Sequence, residues 1–218
     1  MPINIFEAAP KRAGQFSDDV VGRFRIGDVI NDKPRSLSEF RVTTGDPDLA
    51  DKLYDLLGGD APKSRETDQE DNLDLYTASN SIDVIFEKPS AVRSQLALRA
   101  QGGKPIYISD GATISYPPER EGEGDPDASL PLDKRKQRSK DGIGPKPEVD
   151  LYFRLADEPD WGVFRLRSGS WVLAQDLARD EIAEDLAASD GPRNATISLE
   201  RVTTNAGFTF SKLNVVLK

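Results

Sequence analysis

Alternation of apolar and polar side chains dominates the chain. Between 20 and 44, VVGRFRIGDVI and LSEFRVTT set Phe24, Ile26, Phe40 and Val42 against Arg23, Arg25 and Arg41, with an NDKP turn at 31–34 between them. A period of two interrupted by turn residues predicts a β-hairpin. LDLYTA (73–78), SIDVIFE (81–87), IYIS (106–109), VDLYFRLAD (149–157), ATISLERVTT (195–204) and FTFSKLNVVL (208–217) read as further strands, the first two joined at Ser79-Asn80. The period changes at GDPDLADKLYDLLGGD (45–60), where Leu49, Leu53, Leu56 and Leu57 share one helical face. Asp46 is placed as N-cap, Pro47 at the first helical position, and Gly58 or Gly59 at the left-handed stop. Residues 90–101 suggest a short helix running into a strand with Leu96 and Leu98 on one face. Leu177, Ile182 and Leu186 suggest a helix over about 176–188. RVTT occurs at 41–44 and again at 201–204, without flanking similarity that would make it a repeat. Roughly ten strands and three helices without regular βα alternation define an α+β fold with a mainly antiparallel sheet of hairpins, a barrel-like sheet being the variant. The expected organisation is one domain over 1–218, with an extended N-terminal arm at 1–18 and a long loop at 116–147.

That loop holds six prolines and four glycines and no apolar period, which is why it reads as exposed and unstructured. Within it lies DKRKQRSKDGIG (133–144), where Lys134, Arg135, Lys136, Arg138 and Lys140 place five cations in seven residues of a chain whose net charge is -9. Such a block is a solvated face, a protein-binding segment or a nucleic-acid contact. An isoelectric point near 4.7 argues against strong independent binding to DNA. The chain has no histidine and no cysteine. This excludes a Ser-His-Asp triad, thiol catalysis, disulfides and zinc–thiolate sites. No phosphate-binding or dinucleotide-binding glycine motif occurs, and IGPKP (143–147) lacks the hydroxyl and helix that a phosphate loop needs. Asp68, Glu70 and Asp71 in ETDQEDNLD (66–74) could hold a cation loosely, but a solvated loop is the simpler reading. The expectation is a protein without catalytic residues, cofactor or metal. Apolar runs fall far short of the ~20 residues of a membrane span, and MPINIFEAAPKRAG has no signal-peptide core, so a cytoplasmic location is expected.

Trp161 and Trp171 flank GVFRLRSGS, with Phe153 and Phe164 nearby and Arg154, Arg165 and Arg167 interleaved. A groove that stacks single-stranded bases uses such residues. An amphipathic sheet with aromatics inward and arginines outward uses them equally well, and Arg23, Arg25 and Arg41 carry the same ambiguity.

Several stretches, in order, resemble phage recombination directionality factors of the actinophage type that partner large serine integrases. They are FSDDVVGRFRIG, LSEFRVTTGDP, LLGGDAP, KPIYISDG, DPDASLP, RKQRSKDGIG, LYFRLAD and GVFRLRSGSW, which together span most of residues 1–175. The resemblance implies a non-catalytic regulator that binds its integrase and switches it from integration to prophage excision. It carries over no site residues. An acidic body suits contact with a basic, DNA-bound recombinase. In this reading the five cations anchor a loop that orders on binding, and neutralising them leaves folding intact. The alternative is a single-stranded nucleic-acid-binding accessory protein of phage replication.

Overall fold

The computed structural model describes residues 20–30, 33–67, 70–204, 207 and 209–218. The expected arm at 1–18 lies outside them, as does Asp68. In chain order the elements are β1 (Val20–Ile30), β2 (Lys33–Thr44), α1 (Pro47–Leu57), β3 (Lys63–Ser64), β4 (Leu73–Tyr76), β5 (Ser81–Phe86), β6 (Val92–Arg99), β7 (Pro105–Ser109) and β8 (Ile114–Tyr116). There follow α2 (Leu132–Lys140), β9 (Lys146–Leu155), β10 (Val163–Ser168), α3 (Trp171–Arg179), α4 (Ile182–Ala188), β11 (Arg193–Thr203) and β12 (Thr209–Leu217). The fold is α+β, and its strands pair mostly antiparallel, with β1 and β10 parallel. The chain divides into two compact units, one of residues 92–150 and 168–185, the other of 20–91, 151–167 and 186–218.

The second unit carries the strand path β12-β11-β5-β9-β10-β1-β2-β4-β3, to which β9 gives its last residues. The alternation seen in the sequence turns Phe24, Phe40, Phe153 and Phe164 inward, and all four are buried. The Phe24 ring packs against the other three, at 5.8 Å from Phe40, 5.4 Å from Phe153 and 5.5 Å from Phe164. Edge-on and tilted contacts at these distances set the positive ring edge against the negative face, adding to the gain from area burial. The ladder does not close as a barrel. Side chains and backbone nevertheless link β12 to β2: the Ser211 amide donates to Ser36 Oγ at 2.8 Å and its hydroxyl donates to the Leu37 carbonyl.

Helix α1 follows its sequence signals closely. Asp46 accepts hydrogen bonds from the amides of Asp48 and Leu49, and Leu49, Ala50 and Leu53 are buried. Gly58 and Gly59 both take positive φ, 63° and 96°. At Gly59 an added Cβ would stand 1.9 Å from the Tyr76 carbonyl oxygen, so both the backbone conformation and the close approach require glycine. The strands β4 and β5 are consecutive but do not pair with each other. β4 joins β2 and β3, whereas β5 joins β11 and β9.

In the first unit β6, β7 and β8 form an antiparallel meander. The short helix expected before β6 is a single 3-10 turn at Pro89–Ala91. The helix expected over 176–188 is two helices. Ser170 caps α3 by accepting from the Leu173 amide, and Glu181, at φ 49°, breaks the run before α4. Leu177 and Ile182 are buried as their spacing suggested, but on different helices. The largest correction falls on 116–147. This segment is folded, with a cis Tyr116-Pro117 bond, a 3-10 turn at Pro118–Arg120, a turn over 125–130 and the helix α2. Its internal partners are polar, and an apolar period could not reveal them.

Candidate functional site

The five cations of the basic segment do not form one solvated patch. On α2, Arg135 and Ser139 lie four residues apart and face inward, and Arg135 is 2 % exposed. Arg135 donates from Nη2 to the Ala128 carbonyl at 2.6 Å and from Nε to the Leu130 carbonyl at 3.2 Å. It thereby holds the 125–130 turn. Arg138, partly exposed, sets Nε at 3.0 Å from both oxygens of the buried Asp127. The turn itself is knitted by Asp125, whose carboxylate accepts from the Asp127 amide at 2.7 Å and from the Ser109 hydroxyl. The glycine-rich tail of the segment closes the helix, as the Ile143 and Gly144 amides each donate to the Arg138 carbonyl at 3.0 Å. An added Cβ on Gly144 would come within 2.8 Å of Arg138 Cβ.

Lys134 and Lys140 are exposed and Lys136 is half-buried. These three are the cations that α2 leaves open to solvent. Arg135 and Arg138 build the platform. Ser109, Asp125 and Asp127, all buried, form that platform's polar side and were not among the residues expected from the sequence. The available signal was the pair of aspartates in DPDASLP, a few residues ahead of RKQR and of opposite charge.

A second basic surface lies on the sheet of the other unit. Arg23 sits opposite Arg165 in the parallel β1–β10 ladder, and Arg25 sits opposite Arg41 in the antiparallel β1–β2 ladder. Like charges directly opposite are destabilising unless compensated. Arg41 is compensated: it is almost fully buried and donates to Asp28 at 2.9 Å and to both oxygens of Asp74 at 2.9 and 3.0 Å. Arg23 pairs with Asp71, which assigns that member of the expected acidic cluster to an ion pair. Arg165 lies over the Tyr152 ring, 5.6 Å from its centre. For Arg25 the contact is one long hydrogen bond, from Nε to Thr43 Oγ1 at 3.4 Å. Burial lowers the Arg25 pKa, and the positive charges of Arg41 and Arg23 lower it further.

Two open clefts meet at Arg25. One, of about 750 Å³, is lined by Arg23, Arg25, Arg165, Arg167, Glu70 and Asp71. The other, of about 770 Å³, is lined by Arg25, Arg35, Arg41, Arg65, Asp28 and Asp74 among others. Beside them Asp28 accepts from the Tyr76 hydroxyl at 2.7 Å. Burial works to raise the Asp28 pKa. It is outweighed by the hydrogen bonds from Tyr76 and the Val29 amide and by the charge of Arg41, so the net shift is downward. Tyr76 moves the other way, to about 12, through burial and its bond to Asp28.

The aromatic side chains that could have stacked bases are not presented on this surface, although Phe24 borders the first cleft from beneath. Phe24, Phe153 and Phe164 are in the core, and Trp161 and Trp171 are half-buried. The amphipathic-sheet reading therefore accounts for the interleaved arginines. Among the described residues no group of three or more acidic side chains is placed to hold a metal ion, and no helix is long and apolar enough to cross a membrane.

The chain belongs to the Gp3-like, recombination directionality factor-like family, whose model matches residues 21–205. The match covers both units and both basic surfaces, and it makes the protein a regulator of phage recombination. No solved structure matches the chain.

Proposed function

We propose that the protein binds a large serine integrase on its attachment-site DNA and shifts it from integration towards prophage excision, without making or breaking bonds itself. The family match across 21–205 carries this reading. The proposed contact surface includes Lys134, Lys136 and Lys140 on the outer side of α2, held in a fixed helix by Arg135 and Arg138. A partner that meets a preformed helix has less chain to order than one that must fold a loop, at roughly 1–2 kcal/mol per residue fixed. A net charge of -9 keeps independent affinity for duplex DNA low, since few counterions are released.

The test is to add the protein to a candidate integrase with substrates for both recombination directions. Excision should be stimulated and integration inhibited, with the integrase–DNA complex supershifted in a gel. The triple variant Lys134→Gln, Lys136→Gln, Lys140→Gln should weaken both effects together, because both follow from one binding event. Unchanged recombination in both directions would refute the reading, and so would tight, salt-sensitive binding to plain DNA in the absence of integrase.

A further inference from the structure

We infer that Arg25, with its neighbouring guanidinium groups on β1 and β10, is a recognition site for the carboxylates of an extended acidic segment of a protein partner. The sheet carries a cost that is only partly compensated. Ladder register sets Arg25 against Arg41 and Arg23 against Arg165, an arrangement that raises the energy of the sheet. Asp28 and Asp74 neutralise Arg41, and Asp71 neutralises Arg23. Among the described residues no carboxylate lies within ion-pair distance of Arg25, Asp74 attracting it only from further away, and its bond to Thr43 uses Nε, which leaves the two-pronged Nη edge open to an anion. That edge is half-buried at the meeting of two open clefts, so a side chain can reach it without moving the backbone. A planar guanidinium in this state is pre-set for a two-oxygen anion.

The surroundings select a carboxylate over a phosphodiester chain. Asp71 already shows a carboxylate seated on the adjacent Arg23. Glu70 and Asp71 line one cleft and Glu66, Asp28 and Asp74 line the other, so any anion that enters must set its negative charges on the guanidinium groups and clear of these carboxylates. No core aromatic is turned outward to stack a base. Spacing agrees as well. Arg23 and Arg25 stand two residues apart on one strand, about 6.7 Å, which is also the repeat of acidic residues at alternate positions of an extended peptide. This inference is independent of which protein supplies the segment and of the contacts made by α2.

The experiment titrates the full chain with an end-blocked peptide bearing glutamate at alternate positions, following arginine side-chain resonances by NMR. The matched glutamine peptide and an oligothymidylate of equal charge serve as comparisons. The glutamate peptide should bind and the glutamine peptide should not. Arg25→Gln should weaken binding by about tenfold or more, the loss of a charge-assisted two-oxygen contact. Arg25→Lys should fall between, since it keeps the charge and loses the fork. Asp71→Asn should strengthen binding several-fold by releasing Arg23, whereas the charge-matched control Glu119→Gln, an exposed site in the other unit, should change nothing. Arg25→Gln should melt no lower than the native chain, because it removes like-charge repulsion. Equal peptide affinity in the native and Arg25→Gln chains would overturn the proposal, as would absence of peptide binding. Displacement of the peptide by oligothymidylate would make this a phosphodiester site instead, and would overturn it equally.

Discussion

Splitting the basic segment into platform and contact residues predicts two opposite phenotypes from substitutions a few residues apart. Arg135→Ala removes hydrogen bonds to the Ala128 and Leu130 carbonyls and leaves both acceptors half-buried. A hydrogen bond to a charged group contributes about 1.5–3 kcal/mol, which would suggest a large total. Two effects reduce it. Water can reach the released carbonyls, and the substitution relieves the desolvation of a guanidinium whose Nη1 is buried without a partner. The expected loss is about 2 kcal/mol, which at a urea dependence of about 2 kcal/mol per molar lowers the unfolding midpoint by about 1 M. The triple lysine variant on the outer side should unfold within about 0.5 kcal/mol of the native chain. Urea titrations followed by circular dichroism measure both. If Arg135→Ala unfolds like the native chain, or if the lysine variant falls as far as Arg135→Ala, the division is wrong. The same numbers correct the simpler expectation that all five cations can be neutralised at no cost to folding.

Further outcomes follow from single positions. Gly59→Ala should lower stability by more than about 2 kcal/mol, since it forces an L residue to φ 96° against the Tyr76 carbonyl; a thermal melt close to that of the native chain would contradict this. Gly144→Ala should loosen the Arg138–Asp127 pair, visible as faster amide exchange at Ile143 and in the last turn of α2. The pKa of Asp28 is lowered on folding, so the stability it contributes is present above its unfolded value of about 3.9 and is lost as pH falls through its folded value; Asp28→Asn should flatten that acid limb. Tyr76 is raised from 10.0 to about 12, so its contribution is complete below about pH 10 and is lost as pH rises towards 12; Tyr76→Phe should reduce the alkaline limb in pH-dependent unfolding, leaving the part due to Tyr107, whose pKa burial also raises.

The fold was legible where side chains announce themselves one at a time. Asp46, Pro47 and the Gly58-Gly59 pair marked both ends of α1, and strict alternation marked the β1–β2 hairpin. Pairing between distant strands was not legible. β4 and β5 are neighbours in sequence and both rich in apolar residues, and nothing local says that β5 pairs with β11, more than a hundred residues away. Alternation assigns a face to each residue of a strand but no partner strand. The tetrapeptide RVTT makes the same point from the other direction. At 41–44 all four residues are buried, with Arg41 held by two aspartates, whereas at 201–204 Arg201, Thr203 and Thr204 are exposed. Composition cannot distinguish these environments, because position in the sheet creates them. Helix α2 was hidden for a related reason. Its buried face is arginine and serine, and a hydrophobic period detects only helices whose inner face is apolar.

The two basic surfaces therefore differ in kind, and the difference bears on how a regulator can be acidic and still present cations. On α2 the outward charges are lysines, compact and strongly hydrated, while the arginines nearby are drawn inward to satisfy carbonyls and a buried aspartate. On the sheet Arg41 is buried and neutralised by Asp28 and Asp74, whereas Arg23 and Arg25 are half-buried beside it, crowded by register, and of these two only Arg23 has an ion pair, to Asp71. Lysines on long stems can follow a partner's acidic surface with little geometric demand, which suits affinity and rate of encounter. Crowded guanidiniums with fixed forks demand a matching anion and discriminate by shape. A nucleic-acid strand could satisfy the first requirement, but the sheet turns Phe24, Phe153 and Phe164 inward and so offers its bases none of these rings to stack on. A protein surface with carboxylates at defined positions can satisfy both. That is the physical reason to seek the partner of this chain among proteins, and to expect DNA to be reached through that partner.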